Sequence, residues 1–319
     1  MKIEKKYISK SFILALIIVI GLSIISLFTG AYDIKNNPDG FRMFLVTRIP
    51  RTVALMLTGS AMALSGIVIQ LITQNKLVEP TTTGTIEWAG LGLLFSYALT
   101  PAPSLILRTS LAIAFSFIGT MVFFIFINKI KLKTSLLIPI VGIMMGAVIS
   151  ATSTFFSLAL NMTQNIETWF VGSFASVEIG RYEYLWTIII ITIFIFIFAD
   201  KLTVVGLGHD VSTTLGINYK STVLMGTALT AMATGIVATV IGNLPFIGLI
   251  VPNIVSMYRG DNLRSNLPWI IVLGSGIVML CDIISRTIIM PFEVPVSLIL
   301  GSVGAVVFII ILLKQRKRY

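Results

Sequence analysis

Lys10-Ser-Phe-Ile-Leu-Ala-Leu-Ile-Ile-Val-Ile-Gly-Leu-Ser-Ile-Ile-Ser-Leu-Phe28 decides how the chain is read. From Phe12 to Phe28 there is no charge. A helix needs roughly 20 apolar residues to cross the hydrocarbon core of a bilayer. The segment before it is basic, with Lys2, Lys5, Lys6 and Lys10. A basic start and an apolar run also describe a signal peptide, and Thr29–Ala31 is cleavage-like. The run is long for a signal core, however, and further apolar runs follow. It reads as an uncleaved first spanning helix.

Nine further apolar runs lie outward from it: 52–71, 83–99, 105–127, 135–158, 184–199, 222–241, 246–258, 269–289 and 296–313. The run 246–258 is short and contains Pro252. A half-helix is tolerated at membrane depth only where protein or a cavity surrounds it. The chain of 319 residues is 56% hydrophobic and 11% charged, with a mean hydropathy of +0.99. A soluble domain averages about 25% charged residues. Ten spans consume about 200 residues, which leaves no room for a separate soluble catalytic domain. The expectation is one all-α polytopic membrane domain, 1–319, of about ten transmembrane helices.

The net charge of +10 reads as topology rather than as a nucleic-acid surface. With the N-terminus inside, sixteen of the 23 Lys and Arg fall on the inner side and seven on the outer. Cytoplasmic segments of membrane proteins collect Lys and Arg, so both termini are expected in the cytoplasm. The single cysteine, Cys281, excludes an internal disulfide and a cysteine metal cluster. The single histidine, His209, cannot build a histidine metal site alone. A phosphate-cradling loop GxxxxGK[ST] is missing; Gly216-Ile-Asn-Tyr-Lys-Ser221 lacks the Gly before Lys. No cofactor, no metal and no catalytic constellation is expected.

Three segments carry a family resemblance. The first is Arg48-Ile-Pro-Arg-Thr52, continuing through Leu57-Thr-Gly-Ser-Ala-Met-Ala-Leu-Ser-Gly66 and Gln70 to Gln74-Asn-Lys-Leu-Val-Glu-Pro80. The second is Gly242-Asn-Leu-Pro-Phe-Ile-Gly-Leu-Ile-Val-Pro252. The third runs from Asp282 through Arg286 to Glu293-Val-Pro295. Trp169-Phe-Val-Gly-Ser173 and Leu207-Gly-His-Asp-Val, with Leu215-Gly216, fit as well. Together they resemble the iron-siderophore and cobalamin permeases of ABC importers, the FecCD type, over nearly the whole chain. The resemblance implies a type II importer permease of ten helices in the bacterial cytoplasmic membrane. It implies a second permease subunit (a homodimer or a heterodimer), two ATP-binding subunits and an extracytoplasmic substrate-binding protein. The cargo it implies is a ferric siderophore. Thr82-Thr-Gly-Thr-Ile-Glu-Trp-Ala89 is similar to the catecholate-siderophore subgroup.

The resemblance also assigns roles. Arg48, Arg51 and Arg286 match arginines that dock the binding protein; the plain alternative for Arg48 and Arg51 is interface anchoring by snorkelling. Asp282 stands four residues before Arg286, a spacing that lets the two pair on one helix face. The segment 200–221, through Leu207, Gly208, His209, Asp210, Leu215 and Gly216, matches the loop that couples to the ATPase. Relatives often carry Glu after Leu-Gly where this chain has His209 and Asp210. Asn75 and Leu77 match a narrowing of the pathway, with Lys76 in place of a common Pro. Thr134 and Ser135 match a second constriction or form a plain helix cap. Glu87 and Trp88 depart from the small residues usual there. A carboxylate in a membrane helix faces a cavity or a partner, so Glu87 either makes a structural pair or lines the pathway. Two other readings stay open at this point: the same machine with haem, cobalamin or another chelate as cargo, and a secondary transporter using Glu87 and Asp282 as proton-coupling sites.

Overall fold

Lipid offers the backbone no hydrogen bonds, so spanning segments satisfy their own as helices. The computed structural model describes residues 10–30, 32, 38–130, 137–162 and 171–316. The architecture is all-α, and eleven helices are described, seven of them long and apolar enough to cross a bilayer. They are α1 Lys10–Phe28, α2 Gly40–Thr73, α3 Thr85–Leu99, α4 Leu105–Ile130, α5 Leu137–Ala159, α6 Thr187–Val205, α7 His209–Thr214, α8 Tyr219–Val240, α9 Ile247–Arg259, α10 Leu263–Thr287 and α11 Val296–Arg316. The shortest is α7.

Three boundaries differ by six residues or more from the sequence expectation: the second span, the end of α6, and α10, which begins at Leu263 rather than near 269. The second span begins at Gly40 rather than near residue 52, as one helix of 34 residues with a π-helical turn at Phe44–Arg48. Pro50 has no N–H, so the carbonyl of Val46 is left without its helical donor. That carbonyl accepts the N–H of Ile179 instead, at 3.2 Å. The polar segment expected from residue 200 is helical up to Val205. Asp200 sits on that last stretch and ion-pairs with Arg264 of α10.

The central element is α2. It packs against α6, α8, α9 and α10, and 78% of its apolar window is buried. Small residues set those crossings, as expected where lipid supplies no hydrophobic drive between helices. Gly66 of α2 meets Gly248 of α9 so closely that a Cβ would overlap the Gly248 carbonyl, and Gly59 meets Gly274 of α10 in the same way. A second layer is formed by α3, α4 and α5, tied by hydroxyls: Thr83 to Thr85 at 2.7 Å and Thr85 to Thr120 at 2.9 Å. By contrast α1 packs mainly on α10 and leaves Leu14, Ile17 and Ile18 exposed.

At 13 residues, α9 is about 20 Å long, too short for a hydrocarbon core of about 30 Å. Its last turn reaches the molecular end that carries Lys76, Arg259 and Asp261. Its first turn therefore starts inside the bundle. The chain end bearing Arg51, Arg286 and Glu293 is the opposite one, since α2 and α10 run the length of the molecule.

Candidate functional site: two ends and a short helix

At the Arg51 end, three arginines and two carboxylates converge from α2, α10 and the segment before α11, against the end of α1. Arg51 donates from Nη2 to Asp282 Oδ1 at 2.7 Å and from Nε to the same oxygen at 3.2 Å. Its Nη1 lies 2.9 Å from Glu293 Oε2. Arg286 Nη2 lies 2.6 Å from Asp282 Oδ2, one helical turn away. Arg286 also donates to the Thr29 carbonyl at 2.7 Å and to Ser26 Oγ at 2.8 Å, which ties the end of α1 to α10. Arg48 reaches the Thr29 and Tyr32 carbonyls. The relative exposures are 8% for Arg48, 7% for Arg51, 2% for Arg286 and 0% for Asp282. The sequence expectation gave these guanidiniums to a docking partner; within the folded chain they bond Asp282, Glu293, Ser26 and the carbonyls of Thr29 and Tyr32 just after α1. The Asp282–Arg286 spacing does form an ion pair, and Arg51 joins it from a second helix.

At the Lys76 end, α2 stops at Gln74, whose φ of 51° turns the chain back. Asn75 is buried, and its Oδ1 accepts the Leu77 N–H at 2.8 Å. Leu77 is half-buried. Asn253 of α9 donates to the Lys76 carbonyl at 2.7 Å. Lys76 Nζ stands 2.9 Å from both Asp261 Oδ1 and Ser256 Oγ. Burial disfavours the Asp261 charge, but the bonds from Ser256 and Lys76 outweigh it and hold its pKa below the ordinary value. A cleft of about 400 Å³ opens beside this latch, lined by Gln70, Gln74, Asn75, Thr203, Asn262 and Leu207.

Glu79, in the motif Gln74–Pro80, was given no role by the sequence. It is 1% exposed. Its Oε1 accepts the N–H of Phe246 at 2.9 Å and the Thr81 hydroxyl at 2.5 Å. It therefore caps the first turn of α9, whose N–H groups have no helical partner and whose dipole favours an anion. Burial pushes its pKa up to about 6, against hydrogen bonds from Thr81 and the backbone of Phe246, Leu249 and Gly248. A usable signal was present: a half-helix starting at 246 inside protein needs an acceptor for its orphan donors.

Between the ends, Glu87 and Trp88 begin α3. A Cβ on Gly146 of α5 would stand 3.3 Å from the Glu87 carboxylate, so that carboxylate occupies the notch opposite this glycine. Trp88 lies over Gly119 of α4, with its ring 6.4 Å from that of Phe115. No arginine or hydroxyl partner of Glu87 is found among the described residues. Thr134 and Ser135 lie outside the described residues.

The connection after α6 is short and firmly built. Gly208 takes φ 107°, a region L side chains rarely adopt, as α7 begins. Ser212 donates to the Gly208 carbonyl at 2.6 Å and to the Val204 carbonyl at 3.0 Å, pinning α7 to the end of α6. His209 packs edge-on against Tyr219, with ring centroids 5.0 Å apart, and Asp210 is exposed beside it. Leu207, Val211 and Leu215 recur every four residues and are all exposed, at 60%, 44% and 61%. Gly216 closes the turn with φ 75°. The arrangement is a rigid knob with three outward apolar side chains. Among the described residues no group of three or more His, Cys, Asp or Glu could hold a metal.

Comparison with known proteins adds to this geometry. A model of the FecCD transport family matches residues 11–314. The petrobactin import system permease protein FatD of Bacillus anthracis is 67% identical over 314 residues, which covers 98% of this chain and 94% of that protein. The ferric-anguibactin transport system permease protein FatD of Vibrio anguillarum is 36% identical, covering 92% and 95%. A solved metal-chelate type ABC transporter in an inward-facing conformation superposes with a TM-score of 0.82 at 22% identity, covering 96% of this chain and 99% of that one. That likeness speaks to the fold.

Proposed function

The chain belongs to the FecCD transport family, a multi-pass membrane transport family, and on that premise we propose that it is the permease subunit of an ATP-driven importer for a ferric siderophore of the petrobactin class. The observation that carries the reading is the 67% identity over 98% of the chain to a petrobactin permease. The catecholate resemblance of 82–89 agrees with it. The permease lies in the bacterial cytoplasmic membrane with both termini in the cytoplasm, so the Lys76 end is inner and the Arg51 end outer.

In this reading the chain performs no covalent chemistry. Two ATP-binding subunits take the exposed Leu207, Val211 and Leu215 as anchors, because removing such apolar side chains from water is favourable. Since Ser212 fixes α7 to α6, a displacement of α7 moves α6 and α8 with it. Leu207, Gly208, His209, Asp210, Leu215 and Gly216 form this coupling element. An extracytoplasmic binding protein docks at the outer end. Arg48, Arg51 and Arg286 serve that docking at one remove, by holding the corner of α1, α2 and α10 in shape. A second permease subunit covers exposed apolar faces such as that of α5. Asn75 and Leu77 stand at the inner mouth beside the Lys76–Asp261 latch, which bounds the exit when closed. Thr134, Ser135, Glu87 and Trp88 belong to the pathway walls or their support.

The test is cargo-specific growth. A strain lacking this gene under iron limitation should fail to grow on ferric petrobactin and recover with the gene restored. Growth on haem or on unrelated chelates should be unchanged. Normal growth of the deletion strain on ferric petrobactin, with no second petrobactin importer present, would remove this cargo.

A further inference from the structure

The end of α2 lies between the α7 knob and the Lys76–Asp261 latch, and one side chain there touches the knob. Gln74 is the first residue past α2, and its φ of 51° is uncommon for a residue other than glycine. The turn is held by its own N–H to the Leu71 carbonyl, at 3.2 Å, and by the Asn75 N–H to the Gln70 carbonyl, at 3.0 Å. A Cβ on Gly208 would stand 3.5 Å from the Gln74 amide nitrogen, so that amide lies against the glycine where α7 begins. The Gln74 side chain is also hydrogen-bonded to the Tyr219 hydroxyl. Tyr219 opens α8, and its ring packs on His209 of α7. Gln74 therefore meets both flanks of the knob. In the other direction the chain runs straight into Asn75 and Lys76. The Lys76 carbonyl accepts from Asn253, and its ammonium bonds Asp261. That ion pair is exposed, at 50% and 62% of the two side chains. The cleft of about 400 Å³ is lined by Leu207 at the root of the knob and by Lys76 and Asp261 together, which leaves the two elements room to shift against each other.

We propose that Gln74 is the positioning residue that transmits a displacement of α7 to the Lys76–Asp261 latch. The assignment rests on the importer reading and supplies the step by which ATP turnover on partner subunits reaches the inner mouth. A shift of α7 moves Gly208 and Tyr219, and the Gln74 amide follows both. Lys76 is two residues on, across a turn that its backbone bonds hold stiff, so the shift arrives at the latch. Exposed ion pairs contribute little to stability, whereas the neighbouring ties from α2 to α9 are buried: Gln70 donates to the Gly248 carbonyl at 3.1 Å, and Glu79 caps α9. The latch therefore yields first and α9 keeps its place. Coupling of two sites requires an element with two arrangements that both sites bias; the latch, closed or open, is that element.

The experiment uses the whole assembly in proteoliposomes, with permease pair, ATP-binding subunits and binding protein, and measures ATP consumed per ferric petrobactin imported. The ratio should rise about fivefold in Gln74→Ala and in Tyr219→Phe, the effect of one lost hydrogen bond. Tyr219→Phe removes a single oxygen and keeps the ring against His209, so a rise there is not a folding defect. Lys76→Gln, which removes the latch itself, should raise the ratio as well. Gln74→Ala added to Lys76→Gln should then change nothing further, because residues acting in one series do not add. An unchanged ratio in both Gln74→Ala and Tyr219→Phe would overturn the proposal. So would effects of Gln74→Ala and Lys76→Gln that multiply in the double variant, since the two would then act independently. A parent assembly without ATP-driven uptake would instead remove the importer reading, and this assignment with it.

Discussion

Arg51 and Asp282 are 231 positions apart in sequence and 2.7 Å apart in the fold, and their contact joins α2 to α10 where α1 also arrives. Asp282 is fully buried and faces two guanidiniums, Arg51 and Arg286. Removing one partner of a buried ion pair leaves uncompensated charge and costs about 3–5 kcal/mol. Asp282→Asn is therefore expected to lower stability by that order and to reduce the yield of monodisperse protein. Glu293 is partly exposed, so Glu293→Gln should cost under about 1 kcal/mol. Denaturation of the two variants in detergent separates these outcomes; equal costs would show that burial is not what sets the strength of this cluster.

The α7 knob gives a prediction about coupling. Leu215→Asp or Leu207→Asp places a charge where an apolar anchor meets the ATPase. Uptake should fall roughly tenfold or more, the effect of about 1.4 kcal/mol at an interface, while membrane abundance and binding-protein docking hold. Both side chains are exposed in the free subunit, so the fold should not suffer. Uptake measured beside immunoblotted membrane levels decides it, and unimpaired uptake in both variants would exclude this face from coupling.

Glu79 predicts a pH dependence of stability. Its folded pKa, about 6, lies above the ordinary 4.5, so the folded state holds the proton more tightly than the unfolded state. The group's penalty is fully present above about pH 6 and is relieved as pH falls toward 4.5, by on the order of 2 kcal/mol. Thermal unfolding between pH 7 and pH 5 should thus show a stabilising component on acidification that Glu79→Gln abolishes. A variant with the same pH profile as the parent would mean that Glu79 does not set it.

Glycine spacing predicts opposite effects for one substitution at two sites. A Cβ at Gly66 overlaps the Gly248 carbonyl, whereas a Cβ at Gly21 meets nothing within 4 Å. Gly66→Ala should push α2 from α9 and cost about 1–3 kcal/mol or more. Gly21→Ala, at a half-buried helix position with open space for a Cβ, should be neutral or stabilise by up to about 1 kcal/mol. Unfolding midpoints of the two variants test this directly.

These sites show what could be read without coordinates. Hydrophobic runs located ten of the eleven described helices, seven of them long enough to span, and the shortness of the run 246–258 marked α9 as less than a full crossing, because a full span needs about 20 residues. The helical spacing of Asp282 and Arg286 gave their pairing. Arg51 was legible only as an outer charge, since its partner lies 231 positions away and no local pattern records that. The capping role of Glu79 was hidden for the same reason: its partner, the Phe246 N–H, lies 167 positions away. Asp200 was read as the start of a loop because charge ends a hydropathy run, although the helix continues until Val205.

The central claim is that ATP hydrolysed on partner subunits, and not a proton gradient, drives cargo through this chain. Its most direct test is uptake of a radioiron-labelled ferric siderophore into proteoliposomes holding the permease pair, the ATPases and the binding protein. Import should require lumenal or external ATP on the ATPase side, stop when the ATPase catalytic carboxylate is replaced, and persist when a protonophore dissipates the gradient. Import that continues without ATP and collapses with the protonophore would contradict the account.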